Sequence, residues 1–167
     1  MENKPNRIIW HHTADSFTGP QFGKINEYHK SKGFPKSILG YFGGYHILIE
    51  KNGTISRYRA DNEIGAHDAD ENINSLGVAM SGNFSIEKPT KEQEYALRKQ
   101  LIEWQLKWNI PITRIDPHRM GDSTECPGKL LSDNWARELL QVNETQETRE
   151  VLEDIIKFCQ DKLNATY

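Results

Sequence analysis

Tyr45-His46-Ile47-Leu48-Ile49-Glu50-Lys51-Asn52-Gly53-Thr54-Ile55-Ser56-Arg57-Tyr58 is the stretch that decides the fold class of this 167-residue chain. Two runs of β-forming residues flank Asn52-Gly53, a dipeptide suited to a tight hairpin with positive φ at both turn positions. Both faces of the first run are partly apolar, which predicts a central strand rather than an edge. Working outward, Ser75-Leu76-Gly77-Val78-Ala79-Met80-Ser81 reads as a second buried strand, closed by Gly82-Asn83. Arg7-Ile8-Ile9-Trp10, running into His11-His12-Thr13, reads as a third.

Helical segments fall between these strands. Phe22, Ile25 and His29 recur at helical spacing within 20–32, and Gly33 stops the run. Thr90 with Gln93 three residues later forms a capping box opening a helix over 91–108, with Leu97, Leu101, Trp104 and Trp108 on one face and Pro111 beyond its end. A last short strand is expected within 112–117, a loop over 118–128, and a helix over 129–140 around Leu130, Leu131, Trp135, Leu139 and Leu140. Strands alternating with helices predict an α/β domain with a central mixed sheet flanked by helices. Residues 141–150 read as a polar linker. An amphipathic C-terminal helix follows over 151–163, through Val151, Leu152, Ile155, Ile156, Cys159 and Leu163. The chain therefore divides into a domain over 1–140 and an appendage over 141–167.

Composition narrows the function. Aromatics reach 10% of the chain, enough to build a core without disulfides. Residues 1–140 carry 18 basic and 18 acidic side chains, so the basic excess of a duplex-binding domain is missing. The net charge of −3 lies wholly in the tail. A local excess of +5 over residues 1–60 reads as a solvated surface. No apolar run is long enough to span a membrane, and Met1 to Asn6 lacks the apolar core of a signal peptide. Cys126 and Cys159 are too few and too distant to form a disulfide framework.

The chemistry-bearing residues cluster by strand end. His11 and His12 close the first strand, while His118 follows the last, eight residues before Cys126. Ends of adjacent strands in an α/β sheet meet at one edge, where sites are built. A thiolate with two neutral imidazoles suits Zn²⁺, and three protein ligands leave a fourth position for water. His11 and His12 cannot both point at one ion, because successive strand side chains face opposite ways.

Four segments, in order, resemble the type-2 N-acetylmuramoyl-L-alanine amidases, a family that includes phage endolysins and peptidoglycan recognition proteins. Ile8-Ile9-Trp10-His11-His12-Thr13-Ala14 is similar to its first metal motif, and Gly44-Tyr45-His46-Ile47 with Asn52-Gly53 to its tyrosine-bearing hairpin. Gly65-Ala66-His67 and Asn74-Ser75-Leu76-Gly77-Val78, ending at Gly82-Asn83-Phe84, resemble its groove-lining loop and strand. Pro117-His118-Arg119 through Thr124-Glu125-Cys126-Pro127-Gly128 resembles its second metal motif.

The resemblance implies zinc ligation by His11, His118 and Cys126, with His12 packed behind. It implies a catalytic hydroxyl at Tyr45, whose plainer reading is a core aromatic. It places Thr124 where some relatives carry a catalytic lysine; a hydroxyl can donate there but brings no charge. His67 and Asn83 become substrate-groove residues rather than a loop histidine and a turn residue.

The implied reaction is zinc-dependent hydrolysis of the amide between N-acetylmuramic acid and L-alanine in peptidoglycan, with glycan strand and stem peptide as partners. Neither a nucleic acid nor a membrane is expected as partner. The general acid is not evident, although Glu125 adjoins Cys126. An endolysin made in the cytoplasm and acting on the wall after release is the expected setting. The alternative is a non-catalytic peptidoglycan-binding module of the same fold. The sequence leaves the oligomeric state open.

Overall fold

The computed structural model describes residues 2–141 and 153–157. Five strands, β1 (Arg7–His12), β2 (Ile47–Ile49), β3 (Ile55–Arg57), β4 (Ser75–Met80) and β5 (Ile115–Pro117), form one sheet in the order β3-β2-β4-β1-β5. β1 pairs parallel with β4 and β5, β2 pairs parallel with β4, and only β2 with β3 is antiparallel. The expected mixed α/β sheet is therefore the fold. β2 is internal, as its two apolar faces require.

Register explains how the two faces differ. Ile8 aligns with Leu76 and Ile115, and Trp10 aligns with Val78, which also faces Ile47. These large side chains pack under Leu97, Leu101 and Trp104 of helix α2 (Lys91–Trp108). On the other face, His11 aligns with Ala79, and Ile9 with Gly77. β4 thus places Leu76, Val78 and Met80 toward α2, and small Ser75, Gly77 and Ala79 toward the opposite side. The small row leaves room above β1 on the face that also carries Leu48, against which Phe22 and Ile25 of helix α1 (Phe22–Ser31) pack.

Two buried carboxylates tie these layers together. Glu50, just past β2, accepts hydrogen bonds from Gln21 N and Phe22 N at the start of α1, at 2.8 and 2.9 Å, and from Ser81 Oγ at 2.6 Å. A carboxylate at a helix N-terminus satisfies N–H groups that have no partner within the helix. Asp61 gathers Arg57, Lys107 Nζ at 2.7 Å and Trp104 Nε1 at 3.3 Å, joining the hairpin to α2.

α2 begins at Lys91 with both hydrogen bonds of the Thr90–Gln93 capping box in place. The hairpin turn departs from expectation. Only Gly53 takes positive φ, at 81°. Gly53 N donates to Glu50 O and Glu50 N to Thr54 O, each at 2.9 Å, so the connection is a longer turn ending in a left-handed glycine.

The expected last strand also shortens, because Ile112–Arg114 is a 3-10 turn leading into β5. The helix expected over 129–140 contracts to α3 (Trp135–Glu138). Arg119 is the cause: its guanidinium takes the carbonyls of Gly128 and Leu131 at 2.8 and 2.6 Å, while Leu130 N donates to Phe84 O. Residues 128–131 are held by these tertiary bonds instead of helical ones.

Residues 153–157 are helical. Asp154 pairs with Lys99 of α2 at 3.0 Å, Ile155 is half-buried and Ile156 exposed. Val151, Leu152, Cys159 and Leu163 of the expected tail stripe lie outside the described residues. No helix among the described residues is long and apolar enough to cross a membrane.

Candidate metal centre

β1 and β5 run parallel with Trp10 opposite Pro117, so the residues that follow these partners, His11 and His118, emerge side by side. Their ring centroids are 4.4 Å apart. The loop after His118 turns back, with Arg119 N donating to Cys126 O at 2.9 Å, and brings the thiol to the same point. Cys126 Sγ lies 3.7 Å from His11 Nδ1. Donor atoms of His11, His118 and Cys126 all fall within 4.8 Å of one another. Tetrahedral zinc, at ~2.0–2.1 Å from nitrogen and ~2.3 Å from sulfur, separates such N and S donors by about 3.6 Å. The donor set and its spacing therefore fit zinc.

The electrostatics suit a cation. Burial pushes His11 well below the ordinary histidine range, with the neighbouring imidazoles His67, His118 and His12 adding to the effect, which favours the neutral imidazole that a metal would need. Burial also lifts the Cys126 thiol to about 12, so the thiol must lose a proton to ligate. His118 Nε2 faces Asp122 Oδ2 at 3.0 Å, leaving Nδ1 as its remaining ring nitrogen. The Asp68 carboxyl stands behind, with Oδ2 buried, without a hydrogen bond, and 4.0 Å from His118 Nε2. Burial raises its pKa.

His12 goes to the opposite side of the strand. Its Nδ1 accepts from Phe84 N at 3.0 Å, and burial brings its pKa down to about 4. It joins loop to strand and is not among the clustered donors.

The other expected site residues line the same cleft, of about 550 Å³. Tyr45 stands 5.1 Å from His11, ring to ring, and its hydroxyl has no hydrogen-bond partner among the described residues. Thr124 Oγ1 accepts from Cys126 N at 3.2 Å, which steadies the ligand loop. Asn83 Oδ1 accepts from Ser85 N at 3.1 Å.

His67 differs from these. It is 9% exposed and both ring nitrogens face protein groups: Nδ1 lies 3.2 Å from His11 Nε2 and Nε2 lies 3.4 Å from Ser75 Oγ. As a groove residue it has only ring carbons to present. Asp122, Asp68 and Ser75 escaped the sequence reading. The one available signal was an aspartate four residues after His118, which has no meaning until the 3-10 turn His118–Met120 folds it back.

A mixed α/β sheet whose parallel strands β1 and β5, with the loop that follows, bring two imidazoles and a thiol together in an open cleft defines an α/β protein with a donor group that could hold a metal ion. The model of the N-acetylmuramoyl-L-alanine amidase family matches residues 1–129, and the chain belongs to that family. It is 36% identical to the endolysin N-acetylmuramoyl-L-alanine amidase LysCS from Clostridium intestinale, covering 84% of this chain and 86% of that one with a TM-score of 0.71. It is 25% identical to the Ph2119 endolysin from the Thermus scotoductus MAT2119 bacteriophage, over 84% and 87% of the two chains, with a TM-score of 0.68. It is also 30% identical to peptidoglycan-recognition protein SC2 of Drosophila melanogaster, over 77% of this chain and 71% of the relative.

Proposed function

We propose that this protein is a zinc-dependent amidase that cuts the bond between the lactyl group of N-acetylmuramic acid and L-alanine in peptidoglycan. The observation carrying this is the convergence of His11, His118 and Cys126 within 4.8 Å in a cleft. When bound, zinc supplies Lewis-acid polarisation of a carbonyl and a water acidic enough to attack near neutral pH. His11 and His118 offer Nδ1, and Cys126 offers sulfur after losing its proton.

Burial raises the Tyr45 pKa, so its hydroxyl stays a neutral donor, suited to the amide oxygen as negative charge grows there. The amide C–N bond breaks, the carbonyl carbon takes the oxygen of water, and the alanine nitrogen takes a proton. Asn83 offers its side-chain NH₂ to glycan or peptide. Thr124 acts by holding Cys126, and Glu125 is exposed at the rim of the cleft.

Similarity to two endolysins supports a lytic role, with synthesis in the cytoplasm and action on the wall after release. Similarity to a recognition protein supports the second reading, binding without cleavage. The complete His–His–Cys set favours the enzyme. Metal analysis joined to mass spectrometry of digested peptidoglycan tests this. One zinc per chain, stem peptides with a free L-alanine amino group, and loss of both in Cys126→Ala are expected. Tight wall binding with no new amino termini, zinc present, establishes the binding module instead.

A further inference from the structure

We propose that His67 is a positioning residue for the metal ligand His11, the middle of a hydrogen-bonded relay that fixes which nitrogen His11 turns to the metal. The inference rests on the zinc reading above. His11 and His67 are 56 residues apart in sequence, yet His11 Nε2 and His67 Nδ1 lie 3.2 Å apart with rings edge to face. His67 Nε2 continues to Ser75 Oγ at 3.4 Å, and Ser75 Oγ donates to Glu71 O.

Hydrogen counting gives this chain one consistent direction. Ser75 has a single hydroxyl hydrogen, given to Glu71 O, so Ser75 Oγ accepts from His67 Nε2–H. With its N–H given to Ser75 Oγ, the His67 imidazole presents Nδ1 as an acceptor toward His11. That acceptor takes the Nε2–H of His11. His11 must then carry its lone pair on Nδ1, the nitrogen facing Cys126 Sγ. A backbone carbonyl at one end thus selects the ligand tautomer at the other.

The backbone is shaped around the His67 ring. A Cβ on Gly77 would lie 2.6 Å from His67 Cγ and 2.7 Å from Nε2, and one on Gly65 would lie 2.8 Å from Nε2. The ring therefore occupies a slot between two glycines, one on β4 and one two residues before it. Simple packing does not require both ring nitrogens to meet complementary partners. Tautomer selection does.

The test is zinc affinity by chelator competition, with cobalt-substituted absorption spectra as a second readout. His67→Met fills the slot without polar atoms, and His67→Gln keeps an acceptor and a donor. His67→Met should weaken zinc binding about 10- to 100-fold and alter the cobalt spectrum. His67→Gln should restore affinity to within about threefold of wild type. Ser75→Ala, which removes only the far end, should weaken binding several-fold, and it decides the matter if His67→Met does not fold.

Wild-type affinity in folded His67→Met or, where that variant fails to fold, in Ser75→Ala overturns the relay. So does equal loss in His67→Met and His67→Gln, which would leave the ring as packing alone. A wild-type protein that takes up no zinc overturns the metal reading and the relay with it.

Discussion

Gly77→Ala adds one methyl group at the centre of β4, on the row that clears space above β1. The backbone there is not strained for an L-residue, so the consequence is steric. The new Cβ would sit 2.6 Å from His67 Cγ, where ordinary contact begins near 3.4 Å. The ring must retreat by about 1 Å, and Gly65 marks how closely the backbone already approaches it. The His11–His67 distance of 3.2 Å has little slack before the hydrogen bond is lost.

Overpacking of this kind costs about 1–3 kcal/mol, and zinc affinity should fall on the order of tenfold or more as His11 loses its support. Urea unfolding of the metal-free protein measures the first effect, and chelator competition the second. Gly23→Ala is the internal control. It lies in α1, and its added Cβ meets nothing within 4 Å. That change should be neutral or stabilise by up to ~1 kcal/mol through helix propensity. Equal stability and equal zinc affinity of Gly77→Ala and wild type would refute the slot.

Tyr45→Phe should retain zinc and fold while turnover drops on the order of 100-fold, the usual effect of losing one donor to a developing oxyanion; steady-state rates on muropeptides read it out. Glu50→Ala leaves two N–H groups of α1 and the Ser81 hydroxyl without an acceptor and should destabilise by about 2–5 kcal/mol, whereas Glu50→Gln, which keeps an acceptor for the helix, should cost on the order of 1 kcal/mol. Equal losses in thermal unfolding would contradict that division.

Stability should also fall in mild acid. Burial holds His46 and His29 at about 4, below the unfolded value of about 6.5, so protons favour the unfolded chain. The contribution is complete above about pH 6.5 and is lost as pH falls toward 4. His46 alone, wedged between Gly77 N and Glu63 O, accounts for a loss on the order of 2 kcal/mol by about pH 5. A denaturant midpoint unchanged between about pH 7 and about pH 5 would count against it.

Local pattern was enough wherever an element is made by its own residues. Thr90 and Gln93 start α2 within a single turn of chain, and the helix runs from Lys91 to Trp108 as its periodicity predicts. The β-forming runs at 7–12 and 75–80 carry their strands because both faces are apolar or small. The alternation of large Leu76, Val78 and Met80 with small Ser75, Gly77 and Ala79 was also legible, although its meaning depends on which face receives the histidines.

Tertiary structure decided what depends on distant partners. Arg119 draws off the carbonyls of Gly128 and Leu131 and reduces a predicted helix to Trp135–Glu138, against the local propensity of those residues. Glu50 reads as the end of a strand, yet acts as the cap of a helix 28 residues earlier. His11, His118 and Cys126 could be named as candidate metal ligands from the sequence by family resemblance, and the fold brings their donor atoms together. The hydrogen bonds around them could not, because Asp122 reaches His118, His67 reaches His11 and Ser75 reaches His67 only through a turn, a loop and a parallel strand register. Hydrophobic periodicity records which side of an element is buried; it carries no record of which buried side chains meet.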